Sequence, residues 1–93
     1  MKIIIVGCGK VGFTLAEQLV KEKHDITVLD RKDIALKRVS ETLDLMTIRG
    51  SGVSAACLRE AGADTADVLV AATDSDEINM VCCLIAKNMG TGY

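Results

Sequence analysis

The chain has 93 residues, of which 49% are apolar and 26% charged, with a net charge of −2. That length makes one domain, and acids and bases that interleave along it exclude the basic face of a nucleic-acid binder. The longest unbroken apolar run, Met80 to Ala86, falls far short of the ~20 residues that span a bilayer, and no signal-peptide pattern opens the chain, so direct membrane insertion is not expected.

The first predicted strand is Lys2–Val6, a β-branched run that ends in glycines. A helix follows from about Lys10 to Lys23, with Val11, Leu15 and Leu19 recurring at i+4 and Ala16 and Val20 beside them. The second strand is Asp25–Leu29, and the next helix spans about Lys32 to Thr42 on a stripe of Leu36, Val39 and Leu43. A third strand, Leu45–Ile48, leads through Gly50-Ser51-Gly52 to a short helix from Ala55 to about Glu60, which Ser54 caps and Gly62 terminates. The fourth strand, Val68–Ala72, is continuously apolar, as a strand covered on both faces requires. The last helix runs from about Ser75 to Met89, its apolar face formed by Ile78, Val81, Cys82, Ile85, Ala86 and Met89. The spacing Asp74 to Glu77 reads as a capping box with Asp74 as the cap.

Strands alternating with helices imply parallel strands joined by right-handed crossovers. The glycine-rich first turn makes the expected fold a Rossmann-like doubly wound α/β sheet in the order 3-2-1-4. The full form of that sheet has about six strands, so residues 1–93 are expected to be a form truncated before strands five and six, the N-terminal part of a longer chain.

The turn itself reads G-x-G-x-x-G at Gly7, Gly9 and Gly12. It follows a strand, opens a helix, and is followed about 20 residues later by an acid, the context in which this pattern cradles a dinucleotide pyrophosphate. Gly7 permits the tight turn, Gly9 leaves the backbone open to a phosphate, and Gly12 lets helix and strand approach. The helix N-terminus supplies unpaired N–H groups and a positive dipole end. Asp30, at the end of the second strand, either accepts the adenosine ribose hydroxyls, favouring NAD or ATP over NADP, or caps the following helix. Arg31 and Lys32 soften that preference, since either suits a 2′-phosphate; Arg31 otherwise lies against adenine or in solvent. Lys10 neutralises phosphate charge or is an ordinary surface lysine. Gly50 and Ser51 border the adenine position or form a plain turn. Thr73 and Asp74 end the fourth strand on the carboxyl edge, where open α/β sheets bind ligands.

The four cysteines, Cys8, Cys57, Cys82 and Cys83, form no C-x-x-C pair, and the single histidine, His24, is near none of them, so no zinc site is expected. They read as reduced, mostly buried side chains of a cytosolic protein. A dehydrogenase needs a proton donor or acceptor beside the nicotinamide, and His24 falls at the opposite edge of the sheet from the glycine turn. No serine–histidine pairing or Walker-type loop occurs. The chain therefore reads as a binding module and not an enzyme; the alternative is the coenzyme half of an NAD-dependent dehydrogenase.

The segments IIIVGCGKVGFTLAEQL, ITVLDRK and LREAGADTADVLVAATDSDEINMVCCLIAK together resemble the TrkA N-terminal domains, also called KTN or RCK domains, of potassium transporters and channels. The resemblance extends over the chain to about Met89. It implies a cytoplasmic regulatory domain at the inner face of the membrane, a homo-dimer or larger ring under a membrane-embedded potassium transporter subunit, binding NAD(H), or ATP or ADP, as a sensed ligand. It also implies that the glycine turn, with Lys10 and Val11 inside it, faces the phosphates, Asp30 the ribose, and Arg31, Gly50 and Ser51 the base. Thr73, Asp74, Asp76 and Asn79 close the site from the fourth strand. The family commonly carries Asp where this chain has Ser51, which leaves the choice between NADH and ATP open.

Overall fold

A computed structural model describes residues 1–93. The β-branched run β1 (Lys2–Val6) lies inside a parallel sheet, between β2 (Asp25–Asp30) and β4 (Val68–Ala71), with β3 (Met46–Arg49) beyond β2. The order β3-β2-β1-β4 is the one expected from the alternation of elements. Ile4 stands in register with Thr27 on one side and Leu69 on the other, and Val28 with Thr47.

The connecting helices are α1 (Lys10–Lys21), α2 (Asp33–Thr42), α3 (Ala55–Glu60) and α4 (Asp76–Met89). Successive β1 side chains point to opposite faces, so one strand feeds two cores. Ile4 and Val6 pack with Leu29, Leu58, Cys82 and Ala86 beneath α3 and α4. Ile3 and Ile5 pack with Val28, Ala16, Leu36 and Val39 beneath α1 and α2. This two-sided burial explains why β1 and β2 read as nearly continuous apolar runs.

Several boundaries differ from the sequence reading. α1 ends at Lys21 rather than Lys23, because Lys23 adopts a left-handed φ of 64° that no helix continues. Val11, placed on the apolar stripe, is 69% exposed, and the innermost residues of α1 are Gly12 and Ala16. β3 begins one residue later than expected, β2 extends to Asp30, and β4 ends at Ala71. Val81 of α4 lies outside the core and is exposed, like Met80 and Leu84. The cap of α4 is Ser75, whose hydroxyl accepts the Ile78 N–H at 3.2 Å; Asp74 lies one residue outside. The expected cap of α3 is present, with Ser54 Oγ accepting the Cys57 N–H at 3.3 Å, and Gly62 beyond it takes a φ of +93°.

After α4 the chain turns at Gly90 and runs beside β4: Gly92 donates to the Ala66 carbonyl and Leu69 donates to the Tyr93 carbonyl. Between this segment and α4 lies an apolar groove of about 370 Å³ lined by Leu69, Met80, Leu84 and Tyr93, among others.

Candidate nucleotide-binding site

The end of β1 is where the loops meet. Gly7 continues the ladder, donating to the Leu29 carbonyl at 2.8 Å, and then turns with a φ of +99°, a conformation that a side chain disfavours. Gly12 packs so closely under the turn that a Cβ there would lie 2.0 Å from the Gly7 carbonyl oxygen. At Gly9, by contrast, a Cβ would meet nothing within 4 Å. The three glycines thus do different jobs, as the motif leads one to expect: Gly7 bends, Gly12 gives clearance, and Gly9 faces open space.

Gly9 is the N-cap of α1 and has no side chain with which to cap it. The first turn donates only from Phe13, to the Gly9 carbonyl, leaving the N–H groups of Gly9, Lys10, Val11 and Gly12 without a protein acceptor. Every helix start leaves such donors. Here they gather where Gly9, Lys10 and Val11 are exposed, beside the positive end of a 12-residue helix.

Asp30 lies across from this turn. Its Oδ2 accepts the Cys8 N–H at 2.7 Å and its Oδ1 accepts the Lys32 N–H at 2.8 Å. Asp30 is therefore not the N-cap of α2, a position held by Lys32 without a side-chain cap. It ties the glycine turn to the end of β2 instead. Each carboxylate oxygen retains acceptor capacity beyond one such bond, so the group can serve a ligand hydroxyl while holding the turn.

A second charged side chain, absent from the sequence-derived site, reaches the same residue. Arg38 of α2 donates from Nη2 to the Cys8 carbonyl at 3.3 Å, with its guanidinium carbon 5.3 Å from the centre of the Phe13 ring. The only phenylalanine of the chain is the one visible hint of this contact, since a lone aromatic beside the turn offers a face to a cation. The Cys8 thiol is fully buried. Burial pushes its pKa up, the Asp30 charge adds to that rise, and the Arg38 charge opposes it.

The other two loops converge on the same point. A Cβ on Gly7 would sit 2.8 Å from the Ala72 carbonyl carbon and from the Thr73 nitrogen, so the loop after β4 lies directly against the turn. Asn79, one turn into α4, shapes that loop. Its Oδ1 accepts the Thr73 N–H at 3.0 Å and the Thr73 hydroxyl, and its Nδ2 donates to the Thr73 carbonyl at 3.1 Å. The amide of Asn79 is thus committed to Thr73. Asp74 and Asp76 are exposed beside the loop. On the other side, a Cβ on Gly52 would lie 2.6 Å from Val6 Cγ1, which places the loop after β3 over the end of β1. Gly50 donates to the Asp30 carbonyl at 2.9 Å, and Ser51 Oγ accepts the Val53 N–H at 3.2 Å. That bond leaves the Ser51 hydroxyl proton available. Arg31 is exposed immediately after Asp30.

The structure thus brings together the glycine turn, Asp30, Gly50-Ser51 and Thr73 at the carboxyl edge, with Lys10, Arg31, Asp74 and Asp76 exposed. His24 stands at the other edge, its Nδ1 3.3 Å from the amino group of Met1. The arrangement offers N–H donors and a helix dipole to an anion, and a carboxylate beside them to vicinal hydroxyls.

Comparison with known proteins agrees with the fold. A Trk system potassium uptake protein TrkA from Halomonas elongata is 46% identical over 89 residues, 96% of this chain and 20% of that protein. The protein of the same name from Haemophilus influenzae is 54% identical over 83 residues, 89% of this chain and 18% of its own length. A TrkA homolog from Methanothermobacter thermautotrophicus is 37% identical over 87 residues, covering 94% of this chain and 40% of that one. The chain therefore spans about a fifth of the length of the first two relatives. Among solved structures, the AMP-bound Kef C-terminal domain of Shewanella denitrificans superposes with a TM-score of 0.78 at 23% identity, over 92% of this chain and 51% of that one. At such identity the likeness concerns the fold. The TrkA-N domain model matches residues 3–92, and with matches over nearly its whole length the chain belongs to the TrkA-N domain family.

Proposed function

We propose that this domain binds NAD(H), with ATP or ADP as the alternative ligand, and reports its presence to a potassium transport system without transforming it. The observation that carries the reading is the juxtaposition of the unpaired N–H groups of Gly9, Lys10, Val11 and Gly12 with the Asp30 carboxylate, which itself holds Cys8 at 2.7 Å. A pyrophosphate on the helix end and a ribose diol on Asp30 use both features at once. Arg31, Gly50 and Ser51 border the base, and Thr73, Asp74 and Asp76 close the opposite side. Asn79 acts through Thr73.

Regulation then follows from differential affinity: a nucleotide that binds two domain arrangements unequally shifts their populations. The names of the relatives support a potassium uptake system as the setting, with a membrane-embedded transporter subunit as partner and the domain at the cytoplasmic face. The groove beside α4 and the exposed Met80, Val81 and Leu84 support assembly into a homo-dimer or ring. The much greater length of the relatives supports residues 1–93 being one domain of a longer protein.

Calorimetric titration of the chain with NADH, NAD, ATP, ADP and NADPH tests the reading. Dissociation constants well below millimolar are expected for at least one of the ligands whose adenosine ribose carries a free 2′-hydroxyl. Affinities no better than about millimolar for all of them would sink it.

A further inference from the structure

Cys8 is held by two charged side chains of opposite sign from two different elements. Asp30 at the end of β2 takes its N–H, and Arg38 on α2 takes its carbonyl. Each contact fixes one peptide plane. In a trans peptide the C=O and the following N–H point in opposite directions. Whatever holds the Cys8 carbonyl therefore also sets the direction of the Gly9 N–H, the first of the unpaired donors at the turn. Gly9 has no side chain, and a Cβ built there would meet nothing within 4 Å, so no side-chain packing at Gly9 restrains that plane. The restraint comes from Arg38, and Arg38 is in turn steadied by lying 5.3 Å over the Phe13 ring, a platform that suits the flat guanidinium better than an ammonium.

We propose that Arg38 is a positioning residue of the nucleotide site: by gripping the Cys8 carbonyl it aims the Gly9 N–H away from α2 and toward a bound phosphate. This rests on the reading that phosphates meet the glycine turn. Arg38 acts on the phosphate end only, whereas Asp30 serves the ribose end, and the two can be separated by choice of ligand. Adenosine keeps the ribose diol and lacks the phosphates; ADP has both.

The test compares the wild-type chain with Arg38→Met, Arg38→Lys and Phe13→Leu. ADP and adenosine binding are measured by calorimetry or NMR titration, and the Gly9 amide is followed by ¹⁵N NMR with and without ADP. Loss of a charge-assisted hydrogen bond predicts roughly tenfold weaker ADP binding by Arg38→Met, with adenosine binding unchanged and a reduced response of the Gly9 amide to ADP. Arg38→Lys should recover part of the affinity, and Phe13→Leu should lose part of it. Thermal melting identifies any variant that fails to fold, and the two milder variants then carry the comparison. Equal losses for ADP and adenosine, or an Arg38→Met variant that matches wild type in both affinity and Gly9 response, would overturn the role. Where NADH binds and ADP does not, NADH takes the place of ADP in the comparison. A wild-type chain that binds none of NADH, NAD, ATP and ADP defeats the ligand reading itself, an outcome distinct from wild-type binding that Arg38→Met leaves intact.

Discussion

The Asp30 carboxylate and the Cys8 N–H stand 2.7 Å apart, so the end of β2 and the middle of the glycine turn are one hydrogen-bonded unit. The same carboxylate takes the Lys32 N–H through its other oxygen. Asparagine is nearly isosteric but keeps only one acceptor and presents donors where the other stood. Asp30→Asn should therefore lose about 1–3 kcal/mol of stability, read by urea denaturation. It should also weaken adenosine and ADP together, which separates it from substitutions at the phosphate end. A variant as stable as wild type would contradict the dual role given to Asp30.

Gly9 and Gly12 predict opposite outcomes for the same substitution. Alanine at Gly12 would drive its Cβ into the Gly7 carbonyl oxygen at 2.0 Å. A backbone atom cannot give way as a flexible side chain does, so a loss of about 3 kcal/mol or failure to fold is expected. Alanine at Gly9 meets nothing within 4 Å and should leave the melting temperature within about a degree or two of wild type. Its added methyl stands where a phosphate would approach, so ADP affinity should fall by roughly tenfold or more. Equal melting temperatures for the two variants would refute this division of labour.

Asn79 uses both ends of its amide on Thr73. Asn79→Ala strands the Thr73 N–H and frees the loop, at a cost of about 2 kcal/mol. Asn79→Asp can still accept from the Thr73 N–H and hydroxyl but sets a negative charge against the Thr73 carbonyl. It should fall between wild type and alanine. Chemical denaturation ranks the three, and an aspartate variant worse than alanine would show that the Thr73 carbonyl contact dominates.

Burial raises the Cys82 thiol from an ordinary value of 9.0 to about 11, with adjacent Cys83 adding to the shift. Because the folded state resists forming the thiolate, the associated stability is complete below pH 9 and is lost as pH rises from there through 11. One pKa unit corresponds to about 1.4 kcal/mol, so at pH 10 the chain should be less stable by about that amount than at pH 8 on account of Cys82 alone. Cys82→Ala should flatten this alkaline slope. An unchanged slope in Cys82→Ala would assign the alkaline loss to other groups.

Much of this fold is legible because local and global signals coincide. β1 reads as a buried strand and is one, and Ser54 and Gly62 mark the ends of α3 without help from tertiary structure. The failures share a cause in particular contacts that periodicity does not encode, whether within a loop or across the chain. Counting i+4 spacings puts Val11, Leu15 and Leu19 inward, but the contact of Gly12 with the Gly7 carbonyl demands that Gly12 face in. One residue is about 100° on a helix, so Gly12 and Ala16 become innermost and Val11 turns outward. Asp74 and Ser75 are both good caps, and the Thr73–Asn79 bonds settle the choice by folding the loop so that Ser75 enters the cap position. The glycine motif and Asp30 are visible as types at a spacing. Arg38 belongs to no such spacing, since its partner Cys8 lies 30 residues away in the chain.

Gly7 rests against Ala72 and Thr73 with no room for even a methyl group. Thr73 is bound to Asn79, and the exposed Met80 follows next in α4. From the floor of the cleft to the outer surface of α4 runs one unbroken series of neighbours: Gly7, Thr73, Asn79 and Met80. On the proposed reading, this series of contacts is the route by which a nucleotide at the glycine turn would act on the outer face of α4, and by which a neighbour on that face would act on the cleft.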